Sequence, residues 1–246
     1  MAEKKKVKKT VKKTTITVEE EIIDTNEKTQ MICVLDTSGS MSSIIEEARG
    51  GFNEFIKKQK ELPDEATITV ALFDSGYELI YDNIDIKEAE ELTDAVWYPK
   101  GMTALNDAIG KTINDVKATH AKMKKNDVPD KVIVCIVTDG YENNSKEYSS
   151  DDVKNLIAKC EKDNWTFMFL AADQDAFAAS RSFGIKDGNT MNYVKSKKGN
   201  EAMFSTVTAS VGNMRGASVS DVSYQAQMDN LVVNNEVKES EIEDDD

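Results

Sequence analysis

Three short stretches hold most of the residues capable of chemistry. The first is Met31-Ile32-Cys33-Val34-Leu35-Asp36-Thr37-Ser38-Gly39-Ser40, an apolar run that ends in a carboxylate followed by hydroxyls at alternate positions. An uninterrupted apolar run this short reads as a strand buried on both faces. Asp36, Ser38 and Ser40 then stand where that strand stops, the edge of an open α/β sheet at which ligands bind. Hard oxygen donors gathered there suit a divalent cation such as Mg²⁺, with Mn²⁺ or Ca²⁺ as alternatives, and on donor type alone suit neither zinc nor a redox metal. Gly39 is expected to let the loop curl so that both serine hydroxyls face one point.

The second stretch, Pro99-Lys100-Gly101-Met102-Thr103-Ala104-Leu105, is a turn whose threonine opens a helix. The third, Val132 to Val137, is another wholly apolar run and ends in Thr138-Asp139-Gly140. Asp-x-Ser-x-Ser, a Gly-x-Thr turn and Thr-Asp-Gly, in that order, resemble the von Willebrand factor A (vWA) domain family. The resemblance runs from about residue 30 to about residue 215. It implies a metal-ion-dependent adhesion site built from Asp36, Ser38, Ser40, Thr103 and Asp139, none of them substituted. In that family a partner's Asp or Glu completes the metal's coordination. The stretches Gly50-Gly51-Phe52-Asn53-Glu54-Phe55, Gly101 to Ile109 and Thr138 to Asn143 are most similar to stand-alone, cytoplasmic vWA proteins of bacterial and phage type. By analogy with other bacterial members, an AAA-type ATPase is one candidate partner and a particle component another.

Gly39, Gly101, Gly140, Glu142, Asn143 and Asp173 are candidates for supporting or specificity roles around the five. For Glu142, Asn143, Asp173 and Asp175, helix capping is an equally good account. Capping could also explain Asp36, Ser38 and Ser40 taken singly, but not the arrival of Thr103 and Asp139 in matching contexts. Enzyme readings find little footing. Leu35-Asp36-Thr37-Ser38-Gly39 approaches the Asp-Thr-Gly of aspartic proteases but carries an inserted serine. A haloacid-dehalogenase-type phosphohydrolase would want an aspartate at position 38. No nucleophile elbow, P-loop or dinucleotide fingerprint is present. His120, the lone histidine, falls near a helix end, where a solvated or capping role is expected.

Elements able to position these residues follow from periodicity. Strands are expected near 30–35, 66–73, 77–86, 131–137, 165–171 and 189–194. The second and third are joined by Asp74-Ser75-Gly76, too short for anything but an antiparallel hairpin. Helices are expected from about Ser42, with Ser43 and Glu46 as a capping box, then as a short acidic turn near 87–92. Further helices should follow Thr103, run from the Ser149–Asp152 cap to Cys160, follow Asp173-Gln174-Asp175 to Phe183, and span about 200–215. Strand–helix alternation gives a doubly wound, mostly parallel six-stranded sheet with one antiparallel edge strand and helices on both faces.

The chain of 246 residues suits a single core. It divides into a basic tail (1–13), one domain (14–217, with weak strand character near 14–23) and a polar-to-acidic tail (218–246) expected to have little order. The lysine-rich tail could tether to an acidic surface. A net charge of −14 argues against general nucleic-acid binding. No apolar segment approaches the roughly 20 residues that cross a bilayer, and no signal-peptide apolar region follows the lysines. Three cysteines in no zinc-like or disulfide pattern read as core residues of a reducing, cytoplasmic compartment. The expected function is non-catalytic: metal-bridged protein binding. A structural particle component docked through charged tails is the alternative.

Overall fold

The computed structural model describes residues 27–172 and 175–242. Its centre is a six-stranded sheet in the order β3-β2-β1-β4-β5-β6. The strands are β1 (Thr29–Asp36), β2 (Ala66–Phe73), β3 (Tyr77–Asp85), β4 (Lys131–Thr138), β5 (Trp165–Ala172) and β6 (Thr190–Tyr193). Only the β2–β3 pair is antiparallel, as its tight connection requires. β1, β4 and β5 are buried along their whole length. Helices cover both faces, so successive side chains go to opposite cores and every position favours an apolar residue. Met31, Cys33 and Leu35 enter one core, while Ile32 and Val34 enter the other.

The first core is closed by α1 (Ile45–Lys60) and α5 (Lys197–Gly216). The second is closed by α2 (Leu105–His120), α3 (Ser150–Cys160) and α4 (Ala176–Ser182). β1 and β4 pair in parallel register, Leu35 beside Val137, so Asp36 and the Thr138–Asp139 pair emerge at the same sheet edge. That edge, built from strand C-termini next to the central crossover, is where the topology leaves a crevice.

Local details depart from the sequence-based expectations in several places. The Ser43/Glu46 capping box does not form. Residues Gly39–Ser43 make a 3₁₀ turn, and α1 starts at Ile45 without a side-chain cap. The expected acidic helix near 87–92 shrinks to a 3₁₀ turn at Ile86–Glu88. The Ser149/Asp152 capping box on α3 does form.

The expectation of little order from 218 onward fails for 218–242. Helices α6 (Tyr224–Met228) and α7 (Leu231–Asn235) place Tyr224, Met228, Leu231 and Val232 in the first core. Asn189 fastens them, its Nδ2 donating to Met228 O at 2.6 Å and its Oδ1 accepting from Leu231 N at 2.8 Å. The lysine tail, the weak strand near 14–23 and the acidic residues 243–246 lie outside the described residues. Cys33, Cys135 and Cys160 are buried and free. No helix among the described residues is long and apolar enough to cross a membrane.

Candidate metal centre

Asp36 ends β1 fully buried, and both carboxylate oxygens accept hydrogen bonds. Oδ1 takes the Ser38 N–H at 2.6 Å and Oδ2 the Thr138 hydroxyl at 2.6 Å. Burial pushes this carboxyl up from 3.8 to about 6, against the opposing pull of the Thr138 and Ser38 donors. Each oxygen keeps a further lone pair, so the side chain can serve an ion directly or through water. Trp97 is fully buried beneath the strand end, donating Nε1–H to Asp36 O at 3.0 Å and meeting Phe52 edge-on.

Beyond Asp36 the hydroxyls form a continuous arc. Ser38 Oγ lies 2.9 Å from Ser40 Oγ, which donates to Asp139 Oδ1 at 2.6 Å. A Cβ added to Gly140 would sit 3.0 Å from Thr103 Oγ1 and 3.1 Å from Ser40 Oγ, so glycine keeps these two oxygens uncrowded. Asp139 Oδ2 is buried, and the Lys195 ammonium lies 2.7 Å away as its ion-pair partner.

The site's second half is held by the loop after β4. Asn143 brackets Thr103, accepting its N–H on Oδ1 at 2.9 Å and returning its own N–H to Thr103 O at 3.0 Å. Glu142 accepts from Asn106 N at the start of α2 and from Asn144 N, Ser145 N and Ser145 Oγ. Asp107, on α2, takes the backbone N–H groups of Lys146, Glu147 and Tyr148. Burial raises its carboxyl, and those three donors outweigh it and hold it below the ordinary value. The loop is therefore stitched to the first turn of α2, which sets Thr103 beside Gly140.

The structure thus brings Asp36, Ser38, Ser40, Thr103 and Asp139 to one point. Glu142 and Asn143 act on the loop and on Thr103. Gly101 is required by its backbone, with φ of +64° and a Cβ position only 2.5 Å from Asp74 Oδ2. Gly39 is not the pivot expected of it. It lies in the 3₁₀ turn, and an added Cβ would make ordinary contact with Gly101 O at 3.5 Å. Asp173 lies outside the described residues, and Asp175 caps α4 through Ala178 N. His120 is partly buried and makes a side-chain contact instead of a cap. Its Nε2 lies 2.6 Å from Gln30 Oε1 at the opposite end of β1 from Asp36, and burial lowers its pKa.

Sequence reasoning missed Thr138, Trp97 and Lys195. Thr138 stands inside the Thr-Asp-Gly motif, so its position next to Asp139 was the available signal. Nothing local marks the other two.

All the donors are oxygens, two of them from carboxylates, and the buried Asp139 carboxylate already holds a cation, the Lys195 ammonium. This chemistry fits a hard divalent cation. Among the described residues no cluster of three or more His, Cys, Asp or Glu could hold a metal, so any ion at this edge would depend on hydroxyls.

The von Willebrand factor type A domain profile matches residues 30–208. No curated protein matches the chain. Among solved structures, proximal thread matrix protein 1 from the mussel byssus, with a zinc-occupied MIDAS motif, aligns at 14% identity and a TM-score of 0.56. The alignment covers 74% of this chain and 48% of that one, so the chain spans about half the mussel protein's length. The vWF domain of the pili tip protein Mfa5 from Porphyromonas gingivalis aligns at 10% identity and a TM-score of 0.56, over 80% of this chain and 98% of that one. Manganese-loaded TRAP protein from Plasmodium vivax aligns at 17% identity and a TM-score of 0.53, over 68% of each chain. These likenesses show the shared fold. Zinc itself accepts oxygen ligands, so donor type alone does not exclude it. With the profile match covering most of its length and the sheet order and site elements in place, the chain belongs to the von Willebrand factor type A domain family.

Proposed function

We propose that the protein is a non-catalytic, metal-dependent protein-binding module. The carrying observation is that Ser40 Oγ lies 2.9 Å from Ser38 Oγ and 2.6 Å from Asp139 Oδ1, with Thr103 Oγ1 and Asp36 beside them. Ser38, Ser40 and Thr103 would hold the ion through neutral hydroxyls, and Asp36 and Asp139 would supply the charge, directly or through water. Mg²⁺ is the expected ion, with Mn²⁺ or Ca²⁺ as alternatives. A divalent ion held by so few charges offers an electrophilic position to a partner's Asp or Glu.

The surroundings support a protein as the ligand. Met102, Tyr141 and Val194 are exposed, and each is a chain neighbour of a residue at the site: Thr103, Gly140 and Lys195 respectively. Tyr98, also exposed, carries the Lys100 ammonium 4.8 Å from its ring centroid. Exposed apolar side chains around a polar centre are the composition of an interface core. His120, the lone histidine, stands at the far end of β1 and takes no part in this edge. The three buried, free cysteines favour a reducing, cytoplasmic setting.

The test is affinity capture from lysate with Mg²⁺, with EDTA, and with Asp36→Asn in Mg²⁺. A partner retained only by the wild type in Mg²⁺ supports the proposal. A partner retained equally in all three arms refutes metal bridging and moves the interaction to the charged tails.

A further inference from the structure

Lys195 sits between β6 and α5, and its ammonium reaches into the site. It lies 2.7 Å from Asp139 Oδ2 and donates to the Ser40 carbonyl at 2.8 Å. The lysine side chain is 18% exposed and the Asp139 carboxylate fully buried. The ammonium therefore has as partners two of the residues assigned above to a divalent ion.

We propose that Lys195 is a tethered cation that competes with the divalent ion for the Asp139 carboxylate. The proposal rests on the cation-site reading above. Asp139 Oδ1 already accepts from Ser40, and the ammonium neutralises the carboxylate at Oδ2. A fixed positive charge at a poorly solvated carboxylate opposes a second cation there, whether the ion must expel it or merely tolerate it. The backbone beside Lys195 is anchored. Ser196 N–H bonds to Val194 O at 2.8 Å, and the Ser196 side chain caps α5 through Gly199 N. Displacement is accordingly a swing of a flexible side chain bearing a compact charge, with no refolding of the segment. Cation binding becomes conditional on where one lysine points, and the ion-free protein keeps its buried carboxylate neutralised.

The test is calorimetric titration of Mn²⁺ into full-length wild type, Lys195→Met and Lys197→Met, each previously stripped with chelator, together with thermal unfolding of each in EDTA. Lys197 is surface-exposed beside Glu201, so its variant reproduces the charge change away from the site. Lys195→Met is expected to bind Mn²⁺ at least about tenfold more tightly and to unfold at a lower temperature in EDTA, with Lys197→Met matching the wild type. Unchanged or weaker binding by Lys195→Met, with wild-type binding intact, overturns the tethered-cation proposal alone. If neither protein binds Mn²⁺, the cation-site reading falls and takes this proposal with it. Should Lys195→Met fail to fold, amine acylation of the wild type followed by mass spectrometry decides. Lys195 must react faster with Mn²⁺ than with EDTA while Lys197 stays constant, and equal Lys195 rates overturn the proposal.

Discussion

Asp36→Asn separates the site from the fold, and its effect can be worked out from the strand end. The wild-type carboxyl titrates near 6 instead of 3.8 because it is buried, a shift worth about 3 kcal/mol against the ionised form. A raised folded-state value means that the folded chain holds this proton more tightly than the unfolded one. The resulting stability is complete below the unfolded value and is lost as pH rises through about 6. An asparagine carries no such penalty. It can still accept the Ser38 N–H on its oxygen and donate to Thr138, whose hydroxyl can turn to accept. In EDTA near pH 8, Asp36→Asn should therefore equal or exceed the wild type in stability by up to about 3 kcal/mol, with the gap closing near pH 4. Asp36→Ala loses both acceptors at about 1–3 kcal/mol each, an amount the lost burial penalty largely offsets. Adding Mg²⁺ works in the opposite direction. The wild type should gain about 2.7 kcal/mol at one hundred times its dissociation constant, and Asp36→Asn nothing. Urea denaturation at two pH values, with and without Mg²⁺, measures all of this. An Asp36→Asn chain that loses several kcal/mol in EDTA, or that keeps the full Mg²⁺ stabilisation, refutes the reasoning.

Three further outcomes follow from particular contacts. Gly140→Ala places a methyl group 3.0–3.1 Å from the Thr103 and Ser40 hydroxyls, and should weaken Mn²⁺ binding at least about tenfold by calorimetry with little change in unfolding temperature. His120 is held below its ordinary value of 6.5 by burial, and by Lys117 in addition. The unfolded chain thus binds its proton first, so the stability of wild type relative to His120→Gln should fall as pH drops below about 6.5. An unchanged difference between pH 8 and pH 5 would contradict that. Leu231→Ala removes a buried side chain from α7 and should cost about 2–5 kcal/mol in denaturant unfolding, whereas a cost near zero would mean that α6 and α7 do not belong to the core.

Much of this architecture is legible in the chain because central parallel strands are buried on both faces, which leaves unbroken apolar runs at 31–35, 132–137 and much of 165–172. The five site residues are legible for a related reason. Each follows or flanks such a run or a turn, so local pattern places it at the sheet edge before any packing is known. What local pattern cannot show is contact between distant segments. Lys195 meets Asp139 across the space between two loops, and Trp97 supports Asp36 from 61 residues away. Both depend on loop paths that no periodicity encodes. The Ser43/Glu46 spacing matched a capping box, but the 3₁₀ turn that carries Ser40 toward Asp139 uses up those residues first. Helices α6 and α7 escaped notice because each is five residues long, too short for helical spacing to stand out, and because their apolar residues sit among polar neighbours.

The proposed divalent-cation centre at the Asp36–Ser38–Ser40–Thr103–Asp139 edge can be seen directly in a crystal structure of the full chain grown with Mn²⁺ and measured for anomalous scattering. A peak is expected at roughly 2.0–2.2 Å from the Ser38 and Ser40 hydroxyl oxygens. Well-ordered Ser38, Ser40 and Asp139 side chains without an anomalous peak among them would contradict it.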